Sequence, residues 1–389
     1  MTASTQPADG LITVPRGLAG VAVTDTEIGD VRGAEGFYHY RQYDATELAR
    51  SASLEQVWAL LLDGALPDDA AAADFVAELA TLRHLPPGLS QLLTALASTA
   101  GSAEPLAVLR SAVSAAGTSL GLRPLWDGNP QSRRHDALVV AALVPTLLAG
   151  LHRFRNGAEP IEPRDDLGHA ANYLWMLRGE EPSAVDVAAL QRYLVTTVDH
   201  GFNASTFTAR VVASTGADAA ACTVAGIGAL SGPLHGGAPS RALDMLHAIG
   251  TLDAAEPWLR AALDRGDRLM GFGHAVYRGA DPRSELLRDT VRDLADAGRD
   301  PALVDLAVHV ERTALDLLTE LRPNRAMGTN VEFYAGVLMK LVDLPPELFS
   351  ATFAVARSIG WCAHVLEQTT DRKIVRPSAR YTGPQPTRR

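Results

Sequence analysis

Between Ser53 and Gln368, apolar residues recur at three- and four-residue spacing, and Pro or Gly interrupts the pattern again and again. Such stripes can be buried only by packing helix on helix, so the expected fold class is all-α. Ser53-Leu-Glu-Gln56 opens one helix in capping-box style, and Gly64 ends it. Further helices are expected over 70–82, 89–98, 105–116, 138–154, 166–177, 184–198 and, begun by Pro, 345–368. Residues 123–134, with Pro124, Gly128, Asn129 and Pro130, read as the clearest long loop. Only near the start does the period change. After a polar tail to Arg16, residues 21–25 and 37–40 are expected to form a short β-hairpin around a Gly-containing turn.

At 389 residues the chain has room for about two domains. A formal net charge of −10 argues against nucleic acid and anionic membranes as partners, because both require a basic surface. Of 35 basic residues only Lys340 and Lys373 are lysines, so an anion site here would be built from arginine. Cys222 and Cys362 are too few and too far apart for a disulfide framework, and no histidine pair has metal-ligand spacing. The apolar run 137–151 contains Pro145 and is short for a bilayer, so it reads as a buried core helix. With no basic-then-apolar segment at the start, the expected location is cytoplasmic. Gly226-x-Gly228 approximates a dinucleotide-binding pattern, but its spacing is wrong and an Ala-rich helical stretch precedes it. Close helix packing is the better reading of these glycines.

Three islands carry the chemistry. His235 stands in Ser231-Gly-Pro-Leu-His235-Gly-Gly-Ala. His274 stands between Gly271-Phe-Gly273 and a segment with Arg278 and Arg283. Glu332 stands in Thr329-Asn-Val-Glu332-Phe-Tyr. Two glycine-flanked histidines and a carboxylate suit acid/base work at a carbon acid. His200, in Asp199-His-Gly-Phe-Asn203-Ala-Ser-Thr, is a third candidate. Thr329 to Glu332 also fits a capping box, so the carboxylate has a purely structural alternative. Arg357, inside an apolar helix, calls for an anionic partner, since a buried cation without one is costly. Arg376 lies in an extended, Pro-punctuated segment.

These islands, with Phe353-Ala-Val-Ala-Arg357-Ser-Ile-Gly-Trp and Arg376-Pro, resemble the citrate synthase family, which includes the 2-methylcitrate synthases; the match runs from about Gly17 to Gly383. The resemblance implies a helical homodimer with a large domain over 17–236 and 343–389 and a small domain over 237–342 that closes over a cleft. It implies no permanently bound cofactor, with acetyl-CoA or propionyl-CoA as co-substrate. Carried over by position, His200, Asn203, Arg283 and Arg357 would hold oxaloacetate, and Arg376 would reach the other subunit's site. Glu332 would be the base, His235 would steady the enolate, and His274 would polarise the ketone. Arg278, Gly271 and Gly273 would meet CoA. Glu332 stands where the family usually has aspartate. The expected activity is condensation of acetyl-CoA with oxaloacetate; the alternatives are a propionyl-CoA enzyme or a weakly active metabolite-binding relative.

Overall fold

The computed structural model describes residues 11–235, 239–274, 276–277, 279–321 and 327–384. Sixteen α-helices and one small sheet form the described chain. The first ten helices are α1 (Ala45–Ser51), α2 (Leu54–Asp63), α3 (Asp69–Leu82), α4 (Leu89–Thr99), α5 (Pro105–Ser119), α6 (Pro130–Arg155), α7 (His169–Arg178), α8 (Ala184–Thr197), α9 (Ala204–Ala213) and α10 (Ala219–Leu230). Then follow α11 (Pro239–Ile249), α12 (Leu252–Asp264), α13 (Pro282–Asp296), α14 (Pro301–Leu321), α15 (Val331–Leu341) and α16 (Phe349–Gln368). The all-α expectation holds, and local chemistry explains most boundaries. Ser53 and Gln56 close a full capping box on α2, and Gly64 ends that helix in the left-handed region at φ 84°.

Two boundaries differ from expectation for a common reason. The loop read over 123–134 ends at Asn129, whose side chain caps Ser132 N at 2.9 Å, because Pro130 is a first-turn residue and not a breaker. Likewise Pro345 opens a short 3-10 turn, Pro346–Leu348, before α16 begins. The hairpin is a clearer correction. Its strands are β1 (Gly29–Arg32) and β2 (Phe37–Tyr40), antiparallel with Gly29 opposite Tyr40, and β3 (Tyr43–Asp44) adds to β2. Residues 21–25 are not a strand. Their β-branched composition misled, whereas Gly29 lies so close to the His39 carbonyl that any side chain there would collide with it.

α6 runs through the middle of the larger helical assembly, against α4, α5, α7, α10 and α16. It is long and apolar enough to cross a membrane by length and composition, yet residues 137–151 are all buried in protein, as expected of a core helix. α10 packs on α16 because Gly226 lies under the Trp361 ring, where a Cβ would come within 2.8 Å. This is the close-packing reading of the glycine pattern, not a nucleotide loop. Gly360 similarly lets α16 press against the Val198 carbonyl at the end of α8. That contact brings Arg357 Nε to 2.9 Å from Thr197 O. Helices α11 to α15 pack mainly on one another, with α13 and α15 also touching α8. Both cysteines are buried and free.

Candidate active site

Three backbone breaks aim the candidate side chains at one place. His200 follows the end of α8, held from behind by Asp199, which is buried and lies 3.3 Å from His364 Nε2 of α16. Burial opposes the Asp199 charge, but His364 and Arg357 keep its carboxyl below the ordinary range. Asn203 is the N-cap of α9, accepting from Thr206 N at 3.1 Å. Beside it, the Ser205 amide donates to His235 Nε2 at 3.1 Å, and the Ser205 hydroxyl lies 2.8 Å from the same nitrogen. Trp361 Nε1 donates to that hydroxyl at 3.2 Å. A backbone amide can only donate, so Nε2 is an acceptor and neutral His235 carries its proton on Nδ1.

His274 is fixed in the opposite tautomer. Its Nδ1 accepts from the amides of Val276 and Tyr277 at 2.9 and 3.1 Å, which leaves the proton on Nε2. Burial and then Arg283 push its pKa down to about 4, against the pull of Asp281, so it is neutral near pH 7. Arg283 Nη2 stands 3.1 Å from His274 Nε2. Two donors thus converge, and neither can accept from the other. Arg283 itself is almost fully buried and pairs with Asp281 through Nε at 3.0 Å and Nη2 at 2.8 Å. Burial works against its charge, but Asp281 outweighs it and holds the guanidinium protonated.

Asp281 also accepts from Val331 N at 3.2 Å, which ties Arg283 to the start of α15. A second tie is a backbone clasp. Gly273 N donates to Gly328 O and Asn330 N to Gly271 O, each at 2.8 Å, while Asn330 Nδ2 reaches Gly273 O at 2.9 Å. Gly271 and Gly273 have φ of 85° and 83°, and a Cβ on Gly271 would strike Phe333. Glycine is required there. The N-cap of α15 is Asn330, accepting from Glu332 N at 3.0 Å. The capping box based on Thr329 is therefore not the one formed: Asn330 occupies the cap, and Glu332 is the second helical residue.

His200, Asn203, His235, His274, Arg283, Glu332 and Arg357 all line one cavity of about 510 Å³. Arg357 is buried, and among the described residues it has no carboxylate within ion-pairing distance; its guanidinium lies 4.6 Å over the Phe353 ring. Asp199 is the carboxylate that acts on it, through space and without a direct ion pair. A neighbouring cavity of about 590 Å³ shares His274, Asn330 and Glu332, and is lined by Leu263, Arg268, Leu269, Phe272, Gly273, Leu318 and Met327. Arg376 is exposed and lines neither cavity, and Arg278 lies outside the described residues. Ser205, Asp281 and Tyr277 were not singled out from the sequence. Asp281, before Pro282 at a helix start, was the most legible of the three.

Burial sets a pH dependence. His169 is fully buried beside Trp58, neither ring nitrogen has a partner among the described residues, and desolvation followed by Arg83 lowers its pKa to about 3. His200 is also lowered, chiefly by burial and then by Arg283. Unfolded histidines take up protons near pH 6.5, so below that pH the unfolded chain binds more protons than the folded one. Stability is full above about pH 6.5 and falls toward pH 4, by at most about 1.4 kcal/mol per pH unit for His169. Urea midpoints at pH 7.5, 6.0 and 4.5 should decline in that order; a flat series would contradict the buried-neutral assignment.

The profile described as citrate synthase, C-terminal domain, matches residues 17–378. Citrate synthase 2 of Bacillus subtilis (strain 168) is 35% identical over 378 residues, 96% of this chain and 97% of its own. Citrate synthase of Haloferax volcanii is 39% identical over 373 residues, 95% of each chain. The solved structure of citrate synthase from Pyrobaculum aerophilum has a TM-score of 0.88 at 35% identity, covering 100% of this chain and 98% of that one. Motifs, fold and relatives agree over nearly the whole length, and the chain belongs to the citrate synthase family.

Proposed function

We propose that the cavity carries out its family's condensation, joining acetyl-CoA to oxaloacetate and, with water, giving citrate and CoA. One observation supports the assignment of roles: two donors, Nε2–H of neutral His274 and Nη2 of Arg283, converge at 3.1 Å on the cavity. An oxygen-rich keto acid satisfies both. Its ketone oxygen would accept from His274, and its carboxylates would meet Arg283 and Arg357, with His200 and Asn203 on the same wall. Glu332, in the wall common to both cavities, would take a proton from the thioester methyl group. His235 would steady the enolate oxygen through Nδ1–H. The enolate carbon attacks the ketone carbon, and the resulting citryl-CoA thioester is hydrolysed by water, releasing CoA.

The second cavity, with Arg268 and an apolar wall, suits the CoA arm, and Gly273 contributes backbone there. Residues 237–342 would close over the cleft as a small domain against 17–236 and 343–389. Arg376, exposed in the single chain, would complete the site of a second copy. The test is thiol release by the purified chain with oxaloacetate and acetyl-CoA, with propionyl-CoA as a parallel arm. No release with either thioester would refute the reading; faster release with propionyl-CoA would reassign the acyl group and leave the roles intact.

A further inference from the structure

Tyr277 touches three of the residues to which the proposed reaction gives a role. Its ring is buried, at 4% exposure, and stands behind the histidines, outside the cavity lining. The Tyr277 amide donates to His274 Nδ1 at 3.1 Å, and its hydroxyl lies 2.9 Å from His200 Nε2. The ring sits 4.9 Å from the His274 ring and 5.5 Å from the His200 ring, with the Arg283 guanidinium 5.8 Å from its centroid. A phenol has one proton to give. Among the described residues His200 Nε2 is the only partner of this hydroxyl, so the phenol's proton finds an acceptor only in the tautomer whose Nε2 is unprotonated.

We propose that Tyr277 is a positioning residue that sets the tautomers of two of the three cavity histidines, His200 and His274, at once. Through its amide it keeps the proton of His274 on Nε2; through its hydroxyl it keeps the proton of His200 on Nδ1. Each ring then has one nitrogen occupied from behind and the other free to present an N–H to the keto acid. Without the hydroxyl, His200 exchanges between tautomers, and in one of them it offers a lone pair to a substrate that is itself all acceptors. The proposal rests on the oxaloacetate reading of the cavity.

Tyr277→Phe is the direct test, because it keeps the ring, the amide and the packing and removes only the hydroxyl. In the wild type with ¹⁵N-labelled histidine, His200 should show a protonated Nδ1 and an unprotonated Nε2. The variant should show averaged shifts for His200 while His274 is unchanged. The KM for oxaloacetate should rise roughly five- to tenfold, about one neutral hydrogen bond, with the KM for acetyl-CoA unaltered. A wild-type His200 protonated on Nε2 would overturn the proposal, as would a variant with unchanged shifts and KM. So would a uniform loss of kcat and of both affinities alongside a lower unfolding midpoint. If the wild type releases no thiol, the reaction reading fails, while the tautomer measurement on the free protein still judges the positioning role.

Discussion

Glu332→Gln should lower thiol release by about 10²–10⁴-fold, the usual contribution of a general base, with little change in the urea midpoint. The second half of that expectation follows from the cap. Asn330 supplies the side chain that satisfies the start of α15, so a neutral amide at Glu332 removes a base without removing the cap. Full activity in the variant would eliminate Glu332 as the base. Glu332→Asp adds a graded measurement, because aspartate keeps the carboxylate and shortens its reach by one methylene. The first turn of α15 is fixed by Asp281 on Val331 N and by Asn330 on Gly271 and Gly273. With the backbone held, shortening the side chain withdraws the carboxylate by about an ångström, and the rate should drop on the order of a hundredfold. A rise in rate would show instead that the extra methylene is a handicap in this chain.

Arg357→Met should raise the KM for oxaloacetate by more than about a hundredfold, as expected when one partner of a buried, hydrogen-bonded charge pair is lost, yet leave stability within about 1 kcal/mol or improve it. The two effects have separate origins. Among the described residues Arg357 has no carboxylate in ion-pairing range, and burial lowers its pKa, so its charge is a cost to the protein without substrate. Methionine keeps the contact with Phe353 and loses one hydrogen bond, from Nε to Thr197 O. Urea denaturation and steady-state kinetics on the same preparation separate the terms. Strong destabilisation with unaltered KM would mean that Arg357 is a structural cation and that the substrate is held elsewhere.

Helices and most of the site could be read from the chain because both depend on local chemistry. Ser53 and Gln56 mark a capping box wherever they occur, and the glycines around His274 mark a backbone that other residues cannot adopt. Arg357 announced itself by being charged among apolar neighbours. What escaped was set by partners distant in sequence. Residues 21–25 have strand-like composition, but pairing depends on close approach to the His39 carbonyl, which Gly29 makes because it lacks a Cβ. Tyr277 reads as an ordinary aromatic in a loop; its importance comes from His200, which the fold brings to it from the end of α8. The Thr329 capping box failed by one residue because Asn330, next to it, has the better side chain for the cap and a second bond to Gly273 O.

The clasp between Gly271–Gly273 and Gly328–Asn330 reduces the number of ways the site can be misassembled. His274 and Glu332 are distant in sequence, yet three hydrogen bonds join their segments, and a fourth, from Val331 N, ties in Asp281. His200, His235 and Arg357 belong to another group, built on α8, α9, α10 and α16. The spacing of Glu332 and His274 is thus set by the backbone that carries them.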